Sequence, residues 1–160
     1  MGLAELDVSF INHFLHSVET TFTKVFNCEV SRGQFSLGRS QLPEHEVSII
    51  TGVVGQHHTG IIVYSMKDIT VKRLINFLDP SYNDTDNQYT LYEGLGEVVN
   101  IISGNTMTHF SKNDIVLEIT TPSVIVGNAF KLYFLNQTTL SADMLSPFGM
   151  MEISIAIKKY

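Results

Sequence analysis

The stretch from Gln88 to Ser111 constrains the fold of this chain more than any other part of it. At about 100° per residue its apolar side chains fall within an arc of roughly 120°, which predicts a long helix with one side against a core. The residues of this apolar stripe are Leu91, Leu95, Val98, Val99, Ile102, Thr106 and Phe110. A helix of this kind needs a sheet or other helices to cover its stripe.

The opposite side of this predicted helix carries a carboxylate and an amide next to each other. Glu97 and Asn100 are three residues apart, so their side chains lie one above the other on the helix surface. We expect a partner to contact the residues around this pair, which are Glu93, Ile101, Gly104 and Met107.

Three glycines, Gly94, Gly96 and Gly104, fall within the same helix. Each disfavours a helix by about 1 kcal/mol relative to alanine. We interpret them as positions where another group approaches the backbone closely. The alternative is a solvated helix face that happens to contain small residues.

The other segments predict one layered domain that spans residues 1–160. Helical spacing indicates a first helix, capped by Asp7 or Ser9 and ending near Phe26, and another from Lys67-Asp68 to Leu78. Strands are predicted at Gln34–Leu37, Val47–Val54, Gly60–Ser65, Val116–Thr120, Val124–Val126, Phe130–Leu135 and Met150–Ile157. We place His57 and His58 in the turn of a β-hairpin. We expect one face of the last strand to be more exposed to solvent than the other. The fold class is α/β of the layered α+β kind, with a mostly antiparallel sheet and long helices on one face.

Composition excludes several classes of function. The net charge is −6, with ten basic residues and no basic run, so nucleic acid is not an expected partner. No apolar run is long enough to span a membrane, and the N-terminus lacks a secretion signal, so we expect a cytoplasmic protein without a membrane partner.

His13 and His16 have no third ligand at a useful spacing, so we expect surface histidines and no metal site.

No common catalytic motif fits the chain. Gly94-Leu95-Gly96 begins a dinucleotide fingerprint, but Val99 replaces its last glycine and the segment lies inside a helix. What remains as chemistry is the pair formed by Glu97 and Asn100.

The segment Glu97-Val98-Val99-Asn100, followed by Gly104, resembles the E-x-x-N-x-x-x-G signature of the CheC/CheX/FliY family of chemotaxis phosphatases. The run from Thr121-Pro122 to Gly127 is similar to the strand that follows this helix in the CheX branch, and Phe10–Phe14 resembles the CheX opening segment. The resemblance therefore extends over nearly the whole chain and implies a CheC-like fold.

The resemblance also implies an activity, the hydrolysis of the aspartyl phosphate on a phosphorylated response regulator of the CheY type. Glu97 would contact the conserved lysine of the regulator, and Asn100 would orient the attacking water. An acyl phosphate is already activated, so positioning is worth more than a strong base. The regulator would supply Mg²⁺, so this chain would need no cofactor of its own.

Two further expectations come from the family. Glu19-Thr20-Thr21-Phe22 keeps a glutamate on the first helix but lacks the asparagine, so one site per chain is expected, as in the CheX branch. That branch forms homodimers by joining sheets edge to edge, and we expect the same here. Asn105 is expected to be an ordinary exposed residue near the rim of the surface; the alternative is that it alters the fit of the partner. The alternative function is a binding module that docks a receiver domain without hydrolysing its phosphate.

Overall fold

The computed structural model describes residues 8–37, 45–83, 87–127, 131–134 and 139–159. This part of the chain contains three helices, α1 (Val8–Phe26), α2 (Asp68–Leu78) and α3 (Gln88–Ser111). It also contains seven strands, β1 (Ser31–Leu37), β2 (Val47–Gly55), β3 (His58–Met66), β4 (Leu117–Ile119), β5 (Ser123–Val126), β6 (Leu140–Ser146) and β7 (Gly149–Lys159). The predicted class, helices on a mostly antiparallel sheet, is confirmed.

The strands form one sheet in the order β1-β6-β7-β3-β2-β4, and β5 also pairs with β2. All of these pairings are antiparallel. The short strands β4 and β5 therefore share one outer edge, along two different parts of β2, while β1 forms the other edge. This arrangement leaves two strand edges at which a second chain could pair.

The three helices pack on one face of this sheet. The predicted apolar stripe of α3 is buried in full, and Ser103 is buried with it. Phe10 of α1 and Phe110 of α3 stack with their ring centroids 4.2 Å apart, which joins the two long helices at one end. Buried side chains of this size each stabilise the fold by about 1.5–3 kcal/mol, so the stripe fixes the rotation of α3 about its axis.

The prediction that one face of the last strand, β7, is more exposed to solvent is wrong. Glu152, Ser154 and Ala156 are 4%, 1% and 0% exposed, so β7 is buried on both faces. Hydroxyl groups satisfy one another there, since Ser154 bonds to Ser141 across β6 and β7 at 2.8 Å. Phe134, at 6% exposed, packs with Ala156 on this second face.

Several element boundaries differ from the sequence prediction. β6 was missed, and β1 begins three residues before the predicted strand. In the predicted strand Phe130–Leu135, both end residues lie outside the described ranges, and only an isolated bridge at Tyr133 occurs between them. The first helix begins at Val8, so Ser9 lies inside it rather than at its cap, and Asp7 lies outside the described residues.

His58 is not a turn residue. It is the first residue of β3, is 7% exposed, and stacks against Phe10 with ring centroids 5.8 Å apart. The connection between β2 and β3 is therefore only Gln56-His57, shorter than the five residues predicted. No helix in the described ranges is both long and apolar enough to cross a membrane.

Candidate functional site

The start of α3 is fixed by a side-chain cap. The Asn87 carboxamide oxygen accepts a hydrogen bond from the backbone N–H of Tyr89 at 3.0 Å, which satisfies one of the free donors of the first turn. Asn87 directly precedes the first residue of the helix, and positions 84–86 lie outside the described residues. The helix then runs without a break to Ser111.

Burial of the stripe turns Glu97 and Asn100 to the outside. Both side chains are exposed, and neither forms a hydrogen bond or ion pair with another residue in the described part of the chain. Their polar atoms are therefore available to a partner. An amide of this kind can donate and accept hydrogen bonds at the same time.

The residues expected around the pair differ in how far they reach the surface. Glu93 and Gly104 are exposed, and Ile101 is 42% exposed. Met107 is half-buried and packs against the core, so it lies at the margin of this surface. We call the exposed side of α3 from Glu93 to Thr108 the α3 face.

The three glycines of α3 separate into two kinds. A Cβ at Gly94 would lie 3.0 Å from Cδ1 of Ile75, so this glycine lets α2 approach α3. A Cβ at Gly96 or Gly104 would meet nothing within 4 Å. Internal packing accounts for Gly94 but gives no reason for the other two, which lie on either side of the Glu97–Asn100 pair along the helix.

A depression of about 900 Å³ extends beside the pair. Glu93, Glu97 and Asn100 line it, together with residues from the end of α2 and from the segment around β5. Sequence reasoning did not assign Tyr89, Pro122 and Val124, which also line it. The run from Thr121 to Gly127 was quoted only as a family resemblance, and the chain gives no local signal that would bring it next to Asn100.

Beneath the α3 face, the helix is tied to the sheet through Tyr64 of β3. Its hydroxyl lies 3.4 Å from the Ser103 hydroxyl, and both residues are 2% exposed or less. Burial raises the pKa of the Tyr64 phenol far above its ordinary value of 10.0, and the contact with Ser103 only partly offsets this. The phenol therefore stays protonated in the folded protein and acts as a structural contact.

The first helix does not repeat the site. Glu19 accepts a hydrogen bond from Nε of Arg32, so its carboxylate is already engaged. The position three residues after it holds Phe22, which is buried.

On the seam between α1 and α3, the expected exposure of Asn105 is confirmed and the expected surface position of His13 is wrong. Asn105 is exposed, but it also donates a hydrogen bond from Nδ2 to Oγ1 of Thr21 at 3.0 Å. His13 is half-buried rather than on the surface, and its Nδ1 lies 2.8 Å from Nε2 of His109. The residues in both pairs are more than 80 positions apart in the chain, so helical spacing alone could not reveal them. No group of three or more potential metal ligands occurs among the described residues.

The chain matches one family model and several solved structures of the same fold. The model of the family described as chemotaxis phosphatase CheX matches residues 47–143. A CheC-like superfamily protein from Shewanella sp. PV-4 is 21% identical, with a TM-score of 0.84 over 96% of this chain and 99% of that chain. A chemotaxis protein CheX from Desulfovibrio desulfuricans is 16% identical, with a TM-score of 0.81 over 94% of this chain and all of that chain, 100%.

A third solved structure contains a partner. It is the CheX–CheY–BeF3–Mg²⁺ complex from Borrelia burgdorferi, whose matching chain is 26% identical with a TM-score of 0.76. The match covers 94% of this chain and 98% of that chain. No curated protein matches the sequence.

Proposed function

Because the chain belongs to the family of CheX chemotaxis phosphatases, we propose that it hydrolyses the aspartyl phosphate of a CheY-type response regulator. The observation that carries this proposal is the exposed Glu97–Asn100 pair on a rigid helix, with no internal partner for either side chain in the described chain. A related protein of the same fold has been captured with CheY, BeF3 and Mg²⁺.

In the proposed reaction, water attacks phosphorus while the bond between phosphorus and the acyl oxygen breaks. The products are inorganic phosphate and the free aspartate of the regulator. Asn100 accepts a hydrogen bond from the water through Oδ1 and donates one to a phosphoryl oxygen through Nδ2. This holds the water in line with the leaving oxygen, and positioning of this kind supplies much of the rate enhancement in phosphoryl transfer.

Glu97 has a docking role in this proposal. Its carboxylate is one helical turn before Asn100, where it can pair with a lysine of the regulator. The regulator supplies the Mg²⁺ that neutralises the phosphoryl oxygens, so we propose that this chain contributes no metal ligand. The remaining α3 face, with Glu93, Ile101 and Gly104, contacts the regulator around this centre.

The test is the decay of a phosphorylated CheY-type receiver with and without the protein. Wild type is expected to accelerate phosphate loss, and Asn100→Ala to lower kcat/KM by about 100-fold or more because the water loses its orientation. Glu97→Ala is expected to act mainly through KM, by about tenfold, because it removes a docking charge.

The matched control is Asn76→Ala, which removes an exposed asparagine from α2 rather than from the α3 face. In the presence of this variant, the phospho-receiver should lose its phosphate at the same rate as with wild type. If wild-type protein binds the receiver but leaves its decay unchanged, the binding-module function replaces the phosphatase. If Asn100→Ala is as active as wild type, the assignment of the water-positioning residue is wrong.

A further inference from the structure

A second cavity, of about 240 Å³, lies between the second half of α1, from His16 to Lys24, and the last two turns of α3. Its lining is polar and contains four side chains that carry or can acquire positive charge. The lining residues include Lys24, Lys112, His16, His109, Asn105 and Thr108. We call this cavity the basic groove.

The basic groove carries no negative charge of its own, since none of its lining residues is an aspartate or glutamate. Neither Lys24 nor Lys112 forms an ion pair with any residue that the structure describes. Glu19 is near, at 3.9 Å from His16, but its carboxylate already binds Arg32. A protein of net charge −6 therefore presents, at one place, two ammonium groups without an ion-pair partner among the described residues, and the acids beside Lys24 are Glu19 and Glu29 of the neighbouring depression.

Hydrogen bonds within the groove use some of its side-chain donors and leave others for a ligand. The Thr108 hydroxyl donates to the carbonyl of Gly104 at 3.0 Å and is already used within the helix. Asn105 uses one amide hydrogen on Thr21, at 3.0 Å, and keeps a second. Together with the two ammonium groups, this donor set suits a carboxylate or another oxyanion.

The groove is continuous with the α3 face. Asn105 and Lys112 follow Glu97 by 8 and 15 residues, which is about 12 and 22 Å along a helix at 1.5 Å per residue. A standard interface buries about 800 Å² on each partner, equivalent to a disc of about 16 Å radius. A receiver centred between Asn100 and Gly104 would therefore reach the groove with its rim.

We propose that the basic groove receives acidic side chains of the docked receiver and thereby fixes its orientation over Asn100. This inference rests on the proposed function and adds a second charged contact to it. The docking surface then has opposite charges on its two sides, with Glu93 and Glu97 in the first half of α3 and Lys24 and Lys112 in the basic groove beside its last two turns. A receiver with a basic site opposite Glu97 and an acidic one opposite the groove fits in only one direction.

Rim charges act mainly on association and its dependence on salt. We therefore expect Lys24→Glu/Lys112→Glu to lower kcat/KM by about three- to tenfold at low ionic strength, mainly by raising KM. The effect should shrink towards nothing at 0.5 M salt, where the Debye length falls to about 4 Å. Lys24→Arg/Lys112→Arg keeps the charges and should behave as wild type.

The experiment measures two quantities at low and high salt: the binding of beryllofluoride-activated receiver, and the decay of phospho-receiver. The matched control is Lys67→Glu/Lys131→Glu, which makes the same change in net charge at two exposed lysines that belong to neither α1 nor α3. The inference requires the groove variant to lose affinity and the control variant to keep it.

Three outcomes would overturn the inference. If both charge-reversed variants lose affinity equally, the effect comes from net charge and not from the groove. If the groove variant binds and turns over as wild type does while Asn100→Ala is inactive, the groove has no part and the proposed function stands. If wild type neither binds nor dephosphorylates the receiver, the function and the inference fall together.

Discussion

Gly104 is the residue at which stability and binding should change in opposite directions. A Cβ there meets nothing within 4 Å in the free protein, so the helix gains no packing from the glycine. Gly104→Ala is expected to raise the free energy of unfolding by up to about 1 kcal/mol, because alanine favours the helix. It should also weaken receiver binding about tenfold or more, since a methyl group would hold the partner away from the backbone.

Chemical denaturation and a receiver titration of the same variant measure both effects. Gly94→Ala is the comparison, because its new Cβ would press on Ile75 at 3.0 Å and should give little or no gain in stability. A Gly104→Ala protein that binds as well as wild type would show that no partner group approaches this position.

The exposure of Glu97 and Asn100 could be predicted from sequence because the rotation of a long amphipathic helix is set by its apolar stripe. The environments of His13, His58 and Asn105 could not. Each is determined by a contact with a residue distant in the chain, such as Phe10 against His58 or Thr21 against Asn105. Periodicity within one segment carries no information on such pairs.

Among the helices and strands, α3 could be predicted from its own residue pattern and β6 could not. The bounds of α3 agree with the sequence prediction because 24 residues repeat one pattern and Asn87 caps it. β6 alternates Ala142 and Met144 with Ser141 and Asp143, and a proline follows directly. So short a segment ahead of a turn signal is typical of a loop, and its pairing with β1 and β7 decides its structure.

The buried contact between Tyr64 of β3 and Ser103 of α3 predicts that the protein loses stability in alkaline solution. The unfolded chain releases the Tyr64 proton near its ordinary pKa of 10.0, whereas burial keeps the folded pKa above that value. The contribution of Tyr64 is thus complete below about pH 10 and falls as the pH rises further, by about 1.4 kcal/mol per unit. Tyr64→Phe should remove this part of the slope.

Urea unfolding at several values between about pH 9 and 11.5 tests this expectation. Wild type and Tyr64→Phe should have similar slopes at the lower end of the range, and wild type should lose stability faster above about pH 10. Parallel curves throughout would mean that water reaches the phenol in the folded state.

For the whole molecule, the two sheet edges are not equivalent candidates for the proposed homodimer. β5 borders the depression beside Asn100, and a second chain there would crowd the docking surface. β1 lies at the far edge and exposes Phe35 and Leu37, which are 47% and 69% accessible. We therefore expect dimers to form through β1.

Light scattering with size exclusion should give twice the mass of the 17.9 kDa chain. Leu37→Lys should shift the protein towards monomer, because a charge on an edge strand opposes pairing. Val126→Lys, on β5, is the matched change at the other edge and should leave the dimer intact. The opposite pattern would assign the interface to β5, and a wild-type monomer would exclude both.

Under the proposed function, the ion pair between Glu19 and Arg32 would limit how many regulators one chain can bind. Since the only glutamate of α1 is already neutralised by its own chain, α1 has no free acid to offer a second receiver. Under the proposed function, each chain would then hold a single phosphorylated regulator at a time, whatever its assembly state. The capacity of a cell to terminate the signal would rise in proportion to the number of chains it makes, with no reserve in the other helix.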